Sequence, residues 1–400
     1  MRGTFPAFWN FLTIRCPRVL LVPVTLAGLL TCLGTATASA ATCVTWSGTS
    51  AVSPGTSNNL LAATTVLSPC DAWAVGWASG GSANRTLIEH WDGAAWTVAA
   101  SPNPGASDDM LNGVHAISAD DVWAVGAYSD GTGDRTLIVH WNGTKWTQVT
   151  SPNPGSTASL SAIDAVSASD AWAVGDYTIV AAGARGHSAV GGSHTLALHW
   201  NGTKWAQTAS PTPAGGGGLT GVTATSASNA WAVGDFTAAN GTSQNVILHW
   251  NGTAWKRQAS PAPGTSSGLT AADATSASDA WAVGFFDNGS GGQTLTLHWN
   301  GTTWAQVPSP DVAGLVNLLY GVAAVSASNA RAVGEYAFPG GENTLVLRWD
   351  GTRWAQVPSP DPGVAVAVLY GINASSASNF WAAGFFGGAP ADEALTLHCC

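Results

Sequence analysis

From Leu61 to His398 the chain runs in short stretches where apolar and small polar residues alternate, each closed by Gly, Pro, Asn, Asp or Ser. Alternation with a period of two marks strands that bury one face, and the residues between them are those of tight reversals. The stretches are organised by two recurring phrases. The first is Asp71 to Gly76 (DAWAVG), repeated with variation from Asp121, Asp170, Asn229, Asp279, Asn329 and Asn379 at intervals of 50, 49, 59, 50, 50 and 50 residues. The second, Trp91 to Trp96 (WDGAAW), follows each of the first six copies and recurs from Trp141, Trp200, Trp250, Trp299 and Trp349. Seven units of about 50 residues have the number and length of propeller blades.

Each unit divides into four strands. Strand a begins at Leu61, Leu111, Leu160, Leu219, Leu269, Leu319 or Leu369, and strand b is the WAVG phrase. Between them SASD or SASN forms a turn in which the Asx side chain is expected to bond its own backbone two residues on. Strand c is the TLxLHW phrase. The Asn-Gly or Asp-Gly after it predicts a two-residue type I′ hairpin that places its two tryptophans diagonally on one face, ready to stack on the next blade. Strand d runs into Ser-Pro-x-Pro-Gly, as at Ser101 to Gly105, where proline ends ladder pairing. The last unit stops at His398 with Cys399 where a Trp belongs and has no strand d, while Trp46-Ser47-Gly48-Thr49 supplies one at the front. The fold class expected is all-β: a seven-bladed β-propeller of four-stranded antiparallel blades, closed by pairing the N-terminal strand with the C-terminal blade. That closure hides two strand edges.

Composition agrees, with 9% charged residues and 48 glycines. Almost no helix is expected. Residues 1 to 40 read as a signal peptide: Arg15 and Arg18, an apolar run from Val19 to Leu33, then Ala38-Ser39-Ala40 before a cleavage point. The expected organisation is thus a signal peptide over 1–40 and a single propeller domain over 41–400, secreted or held at the envelope by what it binds. Removing Arg2, Arg15 and Arg18 takes the formal charge from -10 to -13. Nucleic acid is not expected as a partner of so acidic a chain, nor an anionic membrane.

An apolar strand ending in glycine, some fourteen residues, an aromatic hairpin and a proline-bearing exit together resemble a kelch repeat. The resemblance covers the chain from about Trp46 and implies a secreted bacterial kelch-like propeller. Kelch repeats usually carry Gly-Gly where this chain has Val-Gly plus one residue. The WNGTxW turn is more weakly similar to the Asp-box of bacterial sialidases. A sialidase-like site implies three convergent arginines with a Tyr/Glu pair, and with Glu89, Glu335, Glu342 and Glu393 available none can be assembled. A galactose-oxidase-like copper site implies a thioether-forming Cys, and the cysteines lie near the chain ends. Both resemblances support the fold and leave activity open.

Most residues of chemical interest recur in every copy, which is what a fold requires. His90, His140, His199, His249, His298 and His398 precede the hairpin position on strand c, too far from the axis to converge on one ion, so neither a metal nor a cofactor is expected. The Asn-Gly-Thr sequons at Asn142, Asn201, Asn251 and Asn300 are turn residues first. Candidate binding residues are those that break the period, and they gather on the face of the b-to-c loops. The third loop is longest, with Arg185 and His187 between Ala181 and Gly192. Arg85 and Arg135 end equivalent loops and Tyr128 begins one. The second residue of strand a is Asn112, Tyr320 or Tyr370 in three copies. Its fifth is His115, Asp164, Asp273 or Asn373, expected to line the axial channel. Of Cys43, Cys70, Cys399 and Cys400, Cys43 and Cys399 sit at the two ends that closure joins, and a disulfide between them is the pairing expected.

The expected function is a non-catalytic extracellular binding module, monomeric, whose partner is an environmental or envelope glycan or a protein. A glycan-active hydrolase or lyase using His115, Asp164 and Asp273 is the alternative, and a structural role in a surface assembly is a third.

Overall fold

The computed structural model describes residues 45–181, 189–312, 315–362, 365–387 and 391–400. Ala40–Cys400 is one compact unit built from seven four-stranded antiparallel sheets, with no helix among the described residues. Blade 1 comprises strands Asn58–Ser68, Asp71–Ser79, Asn84–Trp91 and Trp96–Val98, in the order a, b, c, d. Blades 2 to 6 repeat this order. In blade 7 strands Ala367–Ser376, Asn379–Phe386 and Glu393–Cys399 are completed by Trp46–Thr49, so the first strand of the chain is the outermost strand of the last blade. The fold and its closure are as the sequence predicts.

A feature the repeat does not announce shapes the axis. In all seven blades the a-to-b register slips at the second residue of strand a, between Leu61 and Ala63 in blade 1 and at equivalent places elsewhere. Such a β-bulge re-aims one side chain and kinks the strand. The kink drives the carbonyl of the residue before the leucine against strand b. A Cβ at Gly76, Gly126, Gly175, Gly234, Gly284, Gly334 or Gly384 would overlap that oxygen. The glycine ending every WAVG phrase is therefore the counterpart of the bulge. One residue further along strand a, neighbouring blades approach so closely that only Gly or Ala fits: a Cβ on Gly113 would come 3.0 Å from the Ala162 Cα.

Blades are joined by tryptophan. Trp73 of strand b stacks on His90 of its own blade at 4.1 Å and receives Trp141 and Trp146 of blade 2 at 5.1 and 5.3 Å. Trp381 of blade 7 receives Trp91 and Trp96 in the same way, so each hairpin packs on the preceding blade. The two hairpin tryptophans face each other directly, Trp91 opposite Trp96, not diagonally. Four residues connect them instead of two. The Asp92 side chain accepts hydrogen bonds from the Ala94 and Ala95 amides, and Gly93 takes φ +91°, an Asx-turn in place of a type I′ hairpin.

The Asx residues opening the first phrase differ from expectation too. They reach across to the strand-c histidines: His90 to Asp71 at 2.9 Å, His140 to Asp121 and His199 to Asp170 at 2.8 Å, with His249 to Asn229 and His398 to Asn379 also at 2.8 Å. A ring stacked on tryptophan and bonded at its edge is a structural histidine, as the sequence suggested. Blade 6 breaks the series. Arg331 stands in place of the Trp, fully buried, bonded to Asn329 at 2.7 Å and lying 4.9 Å from the Phe380 ring centroid. The residue that would pack on a Trp there is Cys399, and Trp46 completes that junction.

Cys43 lies outside the described residues. Cys400 is an exposed free thiol, whereas Cys70 and Cys399 are both engaged.

Candidate functional site: the mouth of the channel

One residue of each blade lines the place where the axial channel opens, and in three blades a second joins it. One is the bulged residue of strand a: Ala62, Asn112, Ser161, Thr220, Thr270, Tyr320 and Tyr370 in blade order. The other directly follows the phrase glycine: Trp77, Ala127, Asp176, Asp235, Phe285, Glu335 and Phe385. Tyr320 donates a 2.9 Å hydrogen bond to Glu335 Oε1, Phe385 stacks on Tyr370 and Trp77 lines the opening with Ala62, so these three of the second set stand at the mouth.

The mouth is two-sided. Blades 6, 7 and 1 supply Tyr320, Tyr370, Phe385 and Trp77, an aromatic arc. Within it the Tyr320 and Tyr370 centroids lie 5.1 Å apart, and Phe385 is stacked on Tyr370 at 6.1 Å. Blades 2 to 5 supply Asn112, Ser161, Thr220 and Thr270. In the second set Ser159 and Ser193 hold Asp176 at 3.0 and 2.9 Å, and Ser243 holds Asp235 at 2.6 Å. Glu335 stands at the end of the aromatic arc. Burial, joined by the neighbouring Glu342 carboxyl and opposed by the Tyr320 hydroxyl, pushes its pKa up to about 7. Burial, then Glu335 and Glu342, pushes Tyr370 up to about 12 and raises Tyr320 as well, so both phenols stay protonated.

Below the mouth the channel encloses about 170 Å3 and reaches His115, Asp164, Asp273 and Asn373. These side chains are tied to the next blade. Asp164 accepts from the Ala224 amide at 2.6 Å, Asp273 from Ala324 at 2.7 Å and Asn373 from Val66 at 3.0 Å, while His115 Nδ1 meets Asp164 at 2.7 Å. Burial works against a charged His115, but Asp164, with Asp273 and Asp121 beyond it, holds its pKa above the ordinary value. Burial pushes Asp273 up to about 6. Asn112 spans blades as well, donating to the Leu160 carbonyl at 2.8 Å.

The remaining predicted residues lie elsewhere. Arg85 pairs with buried Asp109 at 2.6 Å, and Arg135 bonds Asp130 at 2.8 Å and the Ser156 carbonyl at 2.7 Å, both bracing loops away from the axis. Tyr128 faces Arg135 on the rim. Arg185 and His187 lie outside the described residues, though the insertion lengthens strands b and c of blade 3 to Asp170–Ala181 and Ala189–Trp200. Tyr320 and Glu335 do form a Tyr/Glu pair, yet no arginine converges on it among the described residues. Reading the sequence by strand a alone missed the aromatic and acidic residues that follow the phrase glycine. The signal was present: the position reads W, A, D, D, F, E, F between an invariant glycine and a residue that is Tyr or Phe in six of the seven copies.

No family model and no curated protein matches the chain. Solved structures do. YCF48 bound to D1 peptide is similar at 16% identity with a TM-score of 0.53, covering 88% of this chain and 94% of that one. YCF48 from Cyanidioschyzon merolae is similar at 17% identity and TM-score 0.50 over 88% and 98%. An ulvan lyase of polysaccharide lyase family PL25, bound to -[GlcA(1-4)Rha3S]-, is similar at 11% identity and TM-score 0.53 over 89% and 93%. At such identities the likeness is one of fold: the chain is a seven-bladed β-propeller.

Proposed function

We propose that this is a secreted, kelch-like bacterial propeller that binds without catalysis, as a monomer, holding an extracellular or envelope glycan or a protein at the channel mouth. The observation that carries the reading is the division of the mouth into an aromatic arc and a polar arc on an otherwise repeated scaffold. A pyranose ring has the matching character, an apolar C–H face and a hydroxyl edge, and so does a peptide with alternating side chains. Similar propellers solved with a peptide and with a saccharide are consistent with either class.

The alternative of a hydrolase or lyase acting through His115, Asp164 and Asp273 has less to draw on, because their side chains are occupied in joining blades. Export is tested by sequencing the secreted protein, expected to begin at Ala41. The proposed Cys43–Cys399 disulfide is tested by non-reducing peptide mapping, where a Cys43–Cys70 peptide would remove it. Binding is tested on an array of glycans and envelope polymers. The wild type is expected to retain a ligand that Tyr370→Ala loses; an array without binding overturns the reading.

A further inference from the structure

Outside the mouth, blades 4, 5 and 6 carry three equivalent pockets on the rim, of about 380, 360 and 400 Å3. Each is walled by the ring two residues after the phrase glycine: Phe236, Phe286 or Tyr336. Strand d adds Arg257 and Gln258, Gln306 or Gln356, and the Ser-Pro exit closes the pocket with Ser260, Ser309 or Ser359. In blades 5 and 6 an aspartate completes the wall. Asp311 and Asp361 each accept at Oδ1 from an amide of strand c of their own blade, Thr294 at 2.8 Å and Thr344 at 2.7 Å. Gln306 and Gln356 are exposed, and their side chains make no hydrogen bond among the described residues.

Blade 4 shows what such a wall accepts. There Arg257 from strand d lays its guanidinium over Phe236, 4.5 Å from the centroid. A planar, polar-edged group of the chain itself thus occupies the ring face in blade 4. Blades 5 and 6 place the shorter Gln306 and Gln356 at the position of Arg257.

We infer that the rim pockets of blades 5 and 6 are a repeated pair of binding sites for neutral pyranose residues, separate from the mouth. The aromatic wall matches the C–H face of a sugar, the glutamine amide offers a donor and an acceptor to vicinal hydroxyls, and Asp311 or Asp361 disfavours an anionic sugar. Pockets of this size suit one saccharide residue. A single shallow site of this kind binds weakly, with Kd near about 1–10 mM. Two sites on one rigid rim gain about 100-fold or more on a polymer that spans them.

The test is saturation-transfer NMR with the methyl glycosides of glucose, galactose and mannose, and with methyl glucuronide, on the secreted protein. Transfer to at least one neutral glycoside is expected, with little to the glucuronide. The Phe286→Ala/Tyr336→Ala variant is expected to lose it several-fold, and Gln306→Ala/Gln356→Ala serves the same purpose should ring truncation unfold a blade. Tyr370→Ala removes the mouth's share of the signal and is expected to leave the rim's share, which Phe286→Ala/Tyr336→Ala added to it then removes, so failure at the rim and failure at the mouth read out separately. Absence of transfer from all three neutral sugars, equal transfer from the glucuronide, or loss only on Tyr370→Ala would each overturn the inference.

Discussion

Trp46 lies directly opposite Cys399 in an antiparallel pair, and through it the first described strand of the chain becomes the last strand of the ring. The indole is buried among Val333, Val346, Phe380 and Leu397, from blades 6 and 7. Trp46→Ala is therefore expected to cost about 3–5 kcal/mol, as large-to-small core changes do. Denaturant titration measures it. A loss below about 1 kcal/mol would mean that the N-terminal strand is dispensable for closure.

Two buried groups set opposite pH limits on stability. Glu89 is fully buried on strand c of blade 1, and burial, opposed by its bond from the Val52 amide, raises its pKa from 4.5 to about 7. The folded protein binds the extra proton, so this contribution is complete below pH 4.5 and is lost as pH rises through 7. It amounts to at most about 3 kcal/mol. His398 is lowered by burial from 6.5 to about 4, so its contribution is complete above 6.5 and is lost as pH falls towards 4. Glu89→Gln is expected to raise Tm at pH 8 and leave it nearly unchanged at pH 4.5. Equal shifts at both pH values would show that the carboxyl does not titrate with folding.

Gly284→Ala places a Cβ against the Gly268 carbonyl oxygen, and Gly81→Ala meets nothing within 4 Å. The first is expected to destabilise by about 1–3 kcal/mol or more. The second is a surface change expected to stay within about 0.5 kcal/mol. Thermal melts of the two variants compare them directly, and equal Tm values would sink the pairing of glycine with bulge.

Asp164→Ala removes the acceptor of the Ala224 amide and the partner of His115. It is expected to lower stability by about 1–3 kcal/mol, the cost of a stranded buried donor. Ligand affinity at the mouth is expected to stay the same. A folded, equally stable variant without binding would return Asp164 to the list of ligand contacts.

The sequence carries the blade count, the four-strand unit and the closure, because each depends on a residue type that must recur: Trp at the blade junction, Gly under the bulge, Pro at the exit. What it conceals depends on register. The bulge at Ala62 adds no unusual residue of its own; its mark is the distant Gly76, which reads as the end of a strand. The partnership of Asp71 with His90 is hidden because a turn aspartate has a plausible local use in its own backbone. Asn112, Asp164 and Asp273 break the period, yet bond neighbouring blades. Irregularity in a closed ring reflects the fitting of unlike neighbours as well as ligand contact. Tyr320 and Tyr370 were found because they are large where most copies are small, and Glu335 was missed because its neighbours in strand b drew attention to the core.

The bulge and its glycine have a consequence for how such a protein changes over time. They fix the backbone in every blade and turn one side chain per blade to the axis, where Asn112, Thr220 and Thr270 each bond a carbonyl of the next blade. The opening can thus be rewritten one codon at a time without disturbing the tryptophan joints outside it, most freely where, as at Tyr320 and Tyr370, the axial side chain holds no carbonyl of the next blade. Blades 2 to 5 and blades 6 to 1 then stand as two dialects of one duplicated word, diverged where divergence is cheapest.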